Sequence, residues 1–179
     1  PADSEREQKR QSLLRRQLPH ITQRLQLALD KLQQPSPQPS ENVPISIWWA
    51  ELSERYRSAN IEFVADIHED DFGVPRDCLD SVVENLLDNA RNKAKNTDVI
   101  QIKVGLYEKD GTVVLSVADN GAAIEPSLAD QILSQPVASD DGLGIGLYQS
   151  ARQAEVNGYR LVLSENEEGG VRFTLTNQD

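Results

Sequence analysis

A single cysteine, Cys78, leaves no partner for an internal disulfide, so the fold must rest on its core and a reducing compartment is the expected setting. Basic charge is short: 18 Lys and Arg stand against 29 Asp and Glu, a net charge of −11 that excludes the basic footprint of a nucleic-acid binder. No apolar run approaches the length of a membrane-spanning helix, and no secretory leader is visible at the start. Methionine is absent and the chain opens Pro1-Ala2-Asp3, so it reads as a piece of a longer protein.

What is present divides into two modules. Residues 1–34 carry 7 basic and 4 acidic side chains, whereas the remainder carries −14. Leu14, Leu18, Ile21, Leu25, Ala28 and Leu32 follow a 4-3-4-3-4 spacing, a heptad seam that a short helix cannot bury without a partner helix. Pro19 interrupts it, which predicts a kink or a restart. Residues 35–44 are proline-rich and polar and read as a linker, and residues 45–179 read as the main domain.

Within that domain "ISIWWAELSERYRS" reads as a helix, with Trp48, Trp49 and Leu52 on or near one face. "NIEFVADI" alternates as a strand and "FGVP" breaks the chain. "PRDCLDSVVENLLDNARNKAKN" is a long helix with an early proline. "VIQIKVGLYEKDGTVVLSVADN" predicts a hairpin turning at Lys109-Asp110-Gly111, and residues 121–141 predict a long functional loop. "GLGIGLYQSARQAEVNG" predicts a glycine turn opening a helix that Gly158 closes, followed by a second hairpin. The expectation is an α+β two-layer sandwich: a mixed, mostly antiparallel sheet covered on one face by helices, plus an N-terminal helix.

Three stretches carry chemistry. Asn85 and Asn89 lie on nearly the same face of a helix that is otherwise apolar enough to be buried, and buried carboxamides need partners. Asp119 ends an apolar strand ahead of Asn120-Gly121. An acceptor-only carboxylate there suits an exocyclic amine and repels a carbonyl, though it serves equally as a turn residue. Gly142, Gly144 and Gly146 alternate before a helix, as in phosphate-binding turns, yet neither a Walker ending nor a preceding strand is present.

In this order "ENLLDNA", "VADNGAAI" and "DDGLGIGLYQ" resemble the N, G1 and G2 boxes of the GHKL (Bergerat-fold) ATP-binding superfamily, above all the catalytic domain of two-component sensor histidine kinases, over roughly residues 45–176. The resemblance implies ATP and Mg²⁺ as cofactors, with Asn89 as the metal ligand and Asn85 beside the triphosphate. It implies that Asp119 accepts from adenine, that Gly121 gives the base room, and that Ile124 and Leu147 pack near the purine. Gly142, Leu143, Gly144 and Gly146 would line the lid and the phosphate end. This sequence departs from the pattern at Ala123, where a second glycine is usual and a methyl could crowd the base. It departs again at Asn92 and Lys93, where a basic residue and a tyrosine are common, and in 132–140, which has no phenylalanine. Lys93 or Arg91 could reach a phosphate, against a default reading as a solvated helix face.

Where ATP-hydrolysing relatives carry a glutamate base, this chain has Asn85, and Glu84 is rotated about 140° from Asn89 around the helix. The resemblance therefore favours phosphoryl transfer to a protein histidine on a dimerisation helix, with relay to a response regulator and a homodimer formed through the N-terminal helix in the cytoplasm or the cytoplasmic part of a membrane-bound sensor. His20 and His68 are the only histidines, and neither has the expected acceptor setting. A serine-directed kinase of the anti-sigma-factor type, or a nucleotide sensor with little catalysis, are the alternatives.

Overall fold

The computed structural model describes residues 41–67, 72–93, 100–109, 112–135 and 145–178, all within one unit, Ser40–Asp179. The heptad seam, most of the linker, His20, His68, Gly142, Leu143 and Gly144 lie outside the described residues. In order, the elements are β1 (Asn42–Pro44), α1 (Ile45–Arg55), β2 (Ile61–Asp66), β3 (Gly73–Pro75), α2 (Arg76–Lys93), β4 (Ile102–Lys109) and β5 (Thr112–Asp119). Then come α3 (Pro126–Ala129), α4 (Gly146–Val156), β6 (Tyr159–Glu167) and β7 (Gly170–Asn177).

Five strands form one sheet in the order β2-β4-β5-β7-β6. Only β2 and β4 run parallel, because α2 supplies the crossover that parallel neighbours require. The strands alternate: Val104, Leu115, Val117, Phe173 and Leu175 face the core, whereas Lys103, Ala118 and Arg172 lie at opposite-face positions. Helix α2 contributes Cys78, Leu79, Val82, Val83, Leu86, Leu87 and Ala90 to that core, the spacing of one broad helical face. Helix α1 adds Ile45, Trp48 and Leu52, and α4 adds Leu147 and Ala154. This is the α+β sandwich the pattern predicts, with a mixed, mostly antiparallel sheet.

Two features depart from the pattern reading. The last residues of the supposed linker and the "FGVP" break pair with each other, Val43 opposite Val74, as a separate two-stranded ribbon. Three-residue strands are too short to show alternation, so nothing local marks them. Inside the loop after β5, Pro126 opens the single turn α3, whose N–H at Ser127 is capped by the Glu125 side chain. Gly158 and Gly169 both have φ +79°, where other residues are strained, and they turn the chain after α4 and between β6 and β7.

Asp80 ties α2 to α1: its carboxylate accepts from Trp48 Nε1 at 2.8 Å and from Arg55 at 2.8 Å. Asp80→Ala leaves the buried indole N–H unpaired, so urea denaturation should show a loss of about 1–3 kcal/mol. Burial pushes the Cys78 thiol from 9.0 up to about 11. Its protonated form is the one the fold favours, so this contribution is intact below about pH 9 and is lost as pH rises toward 11. Iodoacetamide at pH 8 should therefore alkylate the native chain far more slowly than the urea-unfolded chain.

Candidate functional site

Asn85, Asn89 and Lys93 are spaced four residues apart, so they run along one edge of α2 beside its buried face, each about 6 Å further along the axis. The three reach different neighbours. Asn85 donates through Nδ2 to Ser150 Oγ at 3.0 Å, and Ser150 is fully buried in α4. A Cβ at Gly146, the first residue of α4, would stand 3.2 Å from Asn85 Oδ1. Helix α4 thus begins against the Asn85 amide, and glycine is what lets it approach so closely.

Asn89 sits in the middle of this edge. Its Nδ2 is buried and has no hydrogen-bond partner among the described residues. A buried amide nitrogen without an acceptor costs free energy, which marks a place where an external acceptor belongs.

At the far end, Lys93 Nζ bridges both oxygens of Asp119, at 3.0 and 2.9 Å. The two side chains are 15% and 4% exposed, so Lys93 is enclosed in an ion pair and does not lie on a solvated helix face. Asp119 closes β5, opposite Ile102 on one side and Val171 on the other, and its Oδ1 also accepts from the Gly121 N–H at 2.9 Å. The space expected to be left open at Gly121 is taken: a Cβ there would meet Asp119 Oδ1 at 2.8 Å, Lys93 Cδ at 2.9 Å and Ile100 Cδ1 at 3.1 Å.

The loop after Asp119 is fastened to the β6–β7 turn. Ile124 N–H donates to Asn166 Oδ1 at 2.7 Å, and Asn166 Nδ2 returns a bond to the Ile124 carbonyl at 2.8 Å. Ala123 N–H donates to the Glu168 carboxylate at 3.2 Å, and Gly169 N–H to the Gly121 carbonyl at 3.0 Å. Ala123 is exposed and Ile124 half-buried, while Leu147 belongs to the core. Arg91 pairs with Asp88 and lies over the Tyr56 ring, and Glu84 is exposed. The pattern reading passed over Ser150, Asn166 and Glu168. Ser150 falls one helical turn after Gly146, a small polar residue on the face that α4 buries, and Asn166 and Glu168 carry no signal before the hairpin is seen to fold back onto the loop.

A cavity of about 370 Å³ lined in part by Leu79, Leu106, Thr112 and Tyr159 opens at the other end of the sheet, where β5 begins. Asn85, Asn89, Lys93 and Asp119 do not border it.

Residues 75–178, from the start of α2 through β7, match the model of the histidine kinase-, DNA gyrase B-, and HSP90-like ATPases. The chain belongs to this ATPase family. Histidine protein kinase SaeS of Staphylococcus aureus (strain USA300) is 26% identical over 132 residues, covering 70% of this chain and 37% of SaeS. The chain thus spans a little over a third of the length of the curated relatives it matches. Among solved structures, the nucleotide-free catalytic domain of histidine kinase ThkA aligns with TM-score 0.60 at 23% identity, covering 77% of this chain and 94% of that one. The mycobacterial sensor histidine kinase MprB aligns at 0.59 and 24%, covering 77% and 96%. Full-length ShkA in complex with AMPPNP aligns at 0.64 and 19%, covering 95% and 38%. These likenesses establish the fold.

In this ATPase domain Gly121 is crowded from three sides, at 2.8, 2.9 and 3.1 Å. Gly121→Ala should cost about 1–3 kcal/mol by overpacking, read by chemical denaturation, because Asp119 and Ile100 are held and only the Lys93 stem can move aside.

Proposed function

We propose that this chain is the ATP-binding catalytic part of a two-component sensor histidine kinase, delivering the γ-phosphoryl group of ATP to a histidine on a dimerisation helix for relay to a response regulator. Its membership of the ATPase family and its similarity to histidine protein kinases support the class. The observation that carries the reading within this chain is the partnerless buried amide of Asn89, set between Asn85 and Asp119-Lys93.

The residues present fit a magnesium nucleotide. A carboxamide offers an N–H to a phosphate oxygen and a carbonyl oxygen to a hard cation, and a magnesium-bound triphosphate supplies both partners. Asn89 would hold the metal and the phosphates, and the remaining acceptor capacity of Asp119 would take the adenine amine. When bound, Mg²⁺ neutralises charge on the transferring phosphoryl group. Gly142, Leu143, Gly144 and Gly146 are proposed for the phosphate end and Leu147 and Ile124 for the edge of the base pocket.

Transfer to a side chain, as opposed to water, follows from the chemistry at Asn85. A carboxamide is no base, its nitrogen is already committed to Ser150, and Glu84 points into solvent-exposed surroundings. What remains is positioning and electrostatic support, which suffice for phosphoryl transfer to a neutral imidazole nitrogen, since it attacks without first losing a proton to a base. The acceptor would lie on a partner or longer chain, a homodimer through residues 4–34 would present it, and the setting would be cytoplasmic. A net charge of −11 speaks against nucleic acid as a partner.

Titration calorimetry with MgATP tests the assignment. Asn89→Ala should bind about 10- to 100-fold more weakly with an unchanged circular dichroism spectrum; unaltered affinity would remove Asn89 from the site. Incubating the chain with radiolabelled ATP and a dimerisation hairpin bearing the acceptor histidine should give acid-labile label. Acid-stable phosphoserine would transfer the chain to the serine-directed class.

A further inference from the structure

Lys93 and Asp119 form the most enclosed ion pair among the described residues. Every other pair there has at least one side chain 43% exposed or more, whereas these two are 15% and 4% exposed. Stability does not explain such a pair, since desolvating both charges costs about what their attraction returns and apolar side chains would pack as well.

Its unused hydrogen-bonding capacity points to a ligand. Lys93 spends two of its three N–H donors on Asp119 and has one left among the described residues. Among the described residues the carboxylate takes Lys93 and Gly121 on Oδ1 but only Lys93 on Oδ2, so one acceptor site remains on Oδ2. The pair therefore offers one donor beside one acceptor. The Watson–Crick edge of adenine presents an amine donor at C6 and an acceptor at N1. That of guanine presents the same two functions reversed, an acceptor at O6 and a donor at N1. A carboxylate held opposite the C6 position alone suits the amine of the first and repels the carbonyl of the second. A neighbouring ammonium on a flexible four-carbon stem cancels the repulsion and can donate to either acceptor position. The Lys93 stem also borders Gly121, its Cδ 2.9 Å from where a Cβ would stand, so the pair lies beside the position proposed for the base.

We infer that Lys93 is a base-reading residue which, together with Asp119, opens this nucleotide site to 6-oxopurine triphosphates as well as ATP. The inference rests on the nucleotide reading given above. Calorimetry of the whole chain with MgATP and MgGTP decides it. The wild type should bind GTP within about tenfold of ATP, and Lys93→Met, which keeps the stem and removes the charge, should widen that ratio to about 100-fold, the discrimination one paired hydrogen-bond contact to a base provides. Lys93→Arg should restore the narrow ratio. A wild-type ratio beyond about tenfold, or a ratio that Lys93→Met leaves as it was, overturns the inference while leaving the ATP site intact. If circular dichroism finds Lys93→Met unfolded, the wild-type ratio and the Arg variant decide. A wild type that binds neither nucleotide removes the nucleotide reading, and this inference with it.

Discussion

Burial of the apolar face of α2 against the sheet is the constraint from which the site follows. Seven side chains from Cys78 to Ala90 lie in the core, and together they leave the helix no freedom to rotate. With that face fixed, Asn85, Asn89 and Lys93 can only run along the helix edge, between the first turn of α4 and the end of β5. A rotation of one residue would drive the amides into the core or out into solvent. The polar edge is therefore a by-product of hydrophobic packing, which holds it far more firmly than its own hydrogen bonds could.

Around that edge the chain spends its polar contacts on the backbone of one loop. Asn166 from the end of β6 and Glu168 and Gly169 from the β6–β7 turn hold residues 121–124, so the segment following Asp119 is seated on a rigid hairpin. On the other side Asn120 exchanges hydrogen bonds with Gln101, at 2.8 and 3.2 Å, anchoring the start of the same loop to the chain entering β4. Asp119 consequently stands on a frame fixed from both flanks, the rigidity its proposed part in reading a base would need. The amide of Asn89 is the exception: it has the frame's rigidity and no partner within it.

Much of this was legible in the residues. The alternation in Ile102–Lys109 and Thr112–Asp119, the helical period from Cys78 to Ala90 and the glycine after α4 are local signals, and the elements stand where those signals put them. The ordered asparagine, aspartate and glycine stretches pointed to a nucleotide-type pocket in a family that residues 75–178 match. The β1–β3 ribbon was not legible, because each strand is three residues long and only pairing across some thirty positions makes either one a strand. Nor was the single turn at Pro126–Ala129, a helix too brief to have a period.

Sequence by itself determined the longer elements, their order, the family, and which residue types were available for chemistry, because propensity and hydrophobic periodicity act over a few neighbouring positions. Tertiary structure alone decided what those residues touch. Lys93 shows the difference: along the chain it is one more cation near a helix end, yet packing carries it to a carboxylate 26 positions away and encloses the pair. Asn85 likewise gains a buried hydroxyl 65 positions on, while the Nδ2 of Asn89, four residues from each of them, is left without a partner among the described residues. Electrostatics and hydrogen bonding depend on distance in space, and the fold brings those distances within reach.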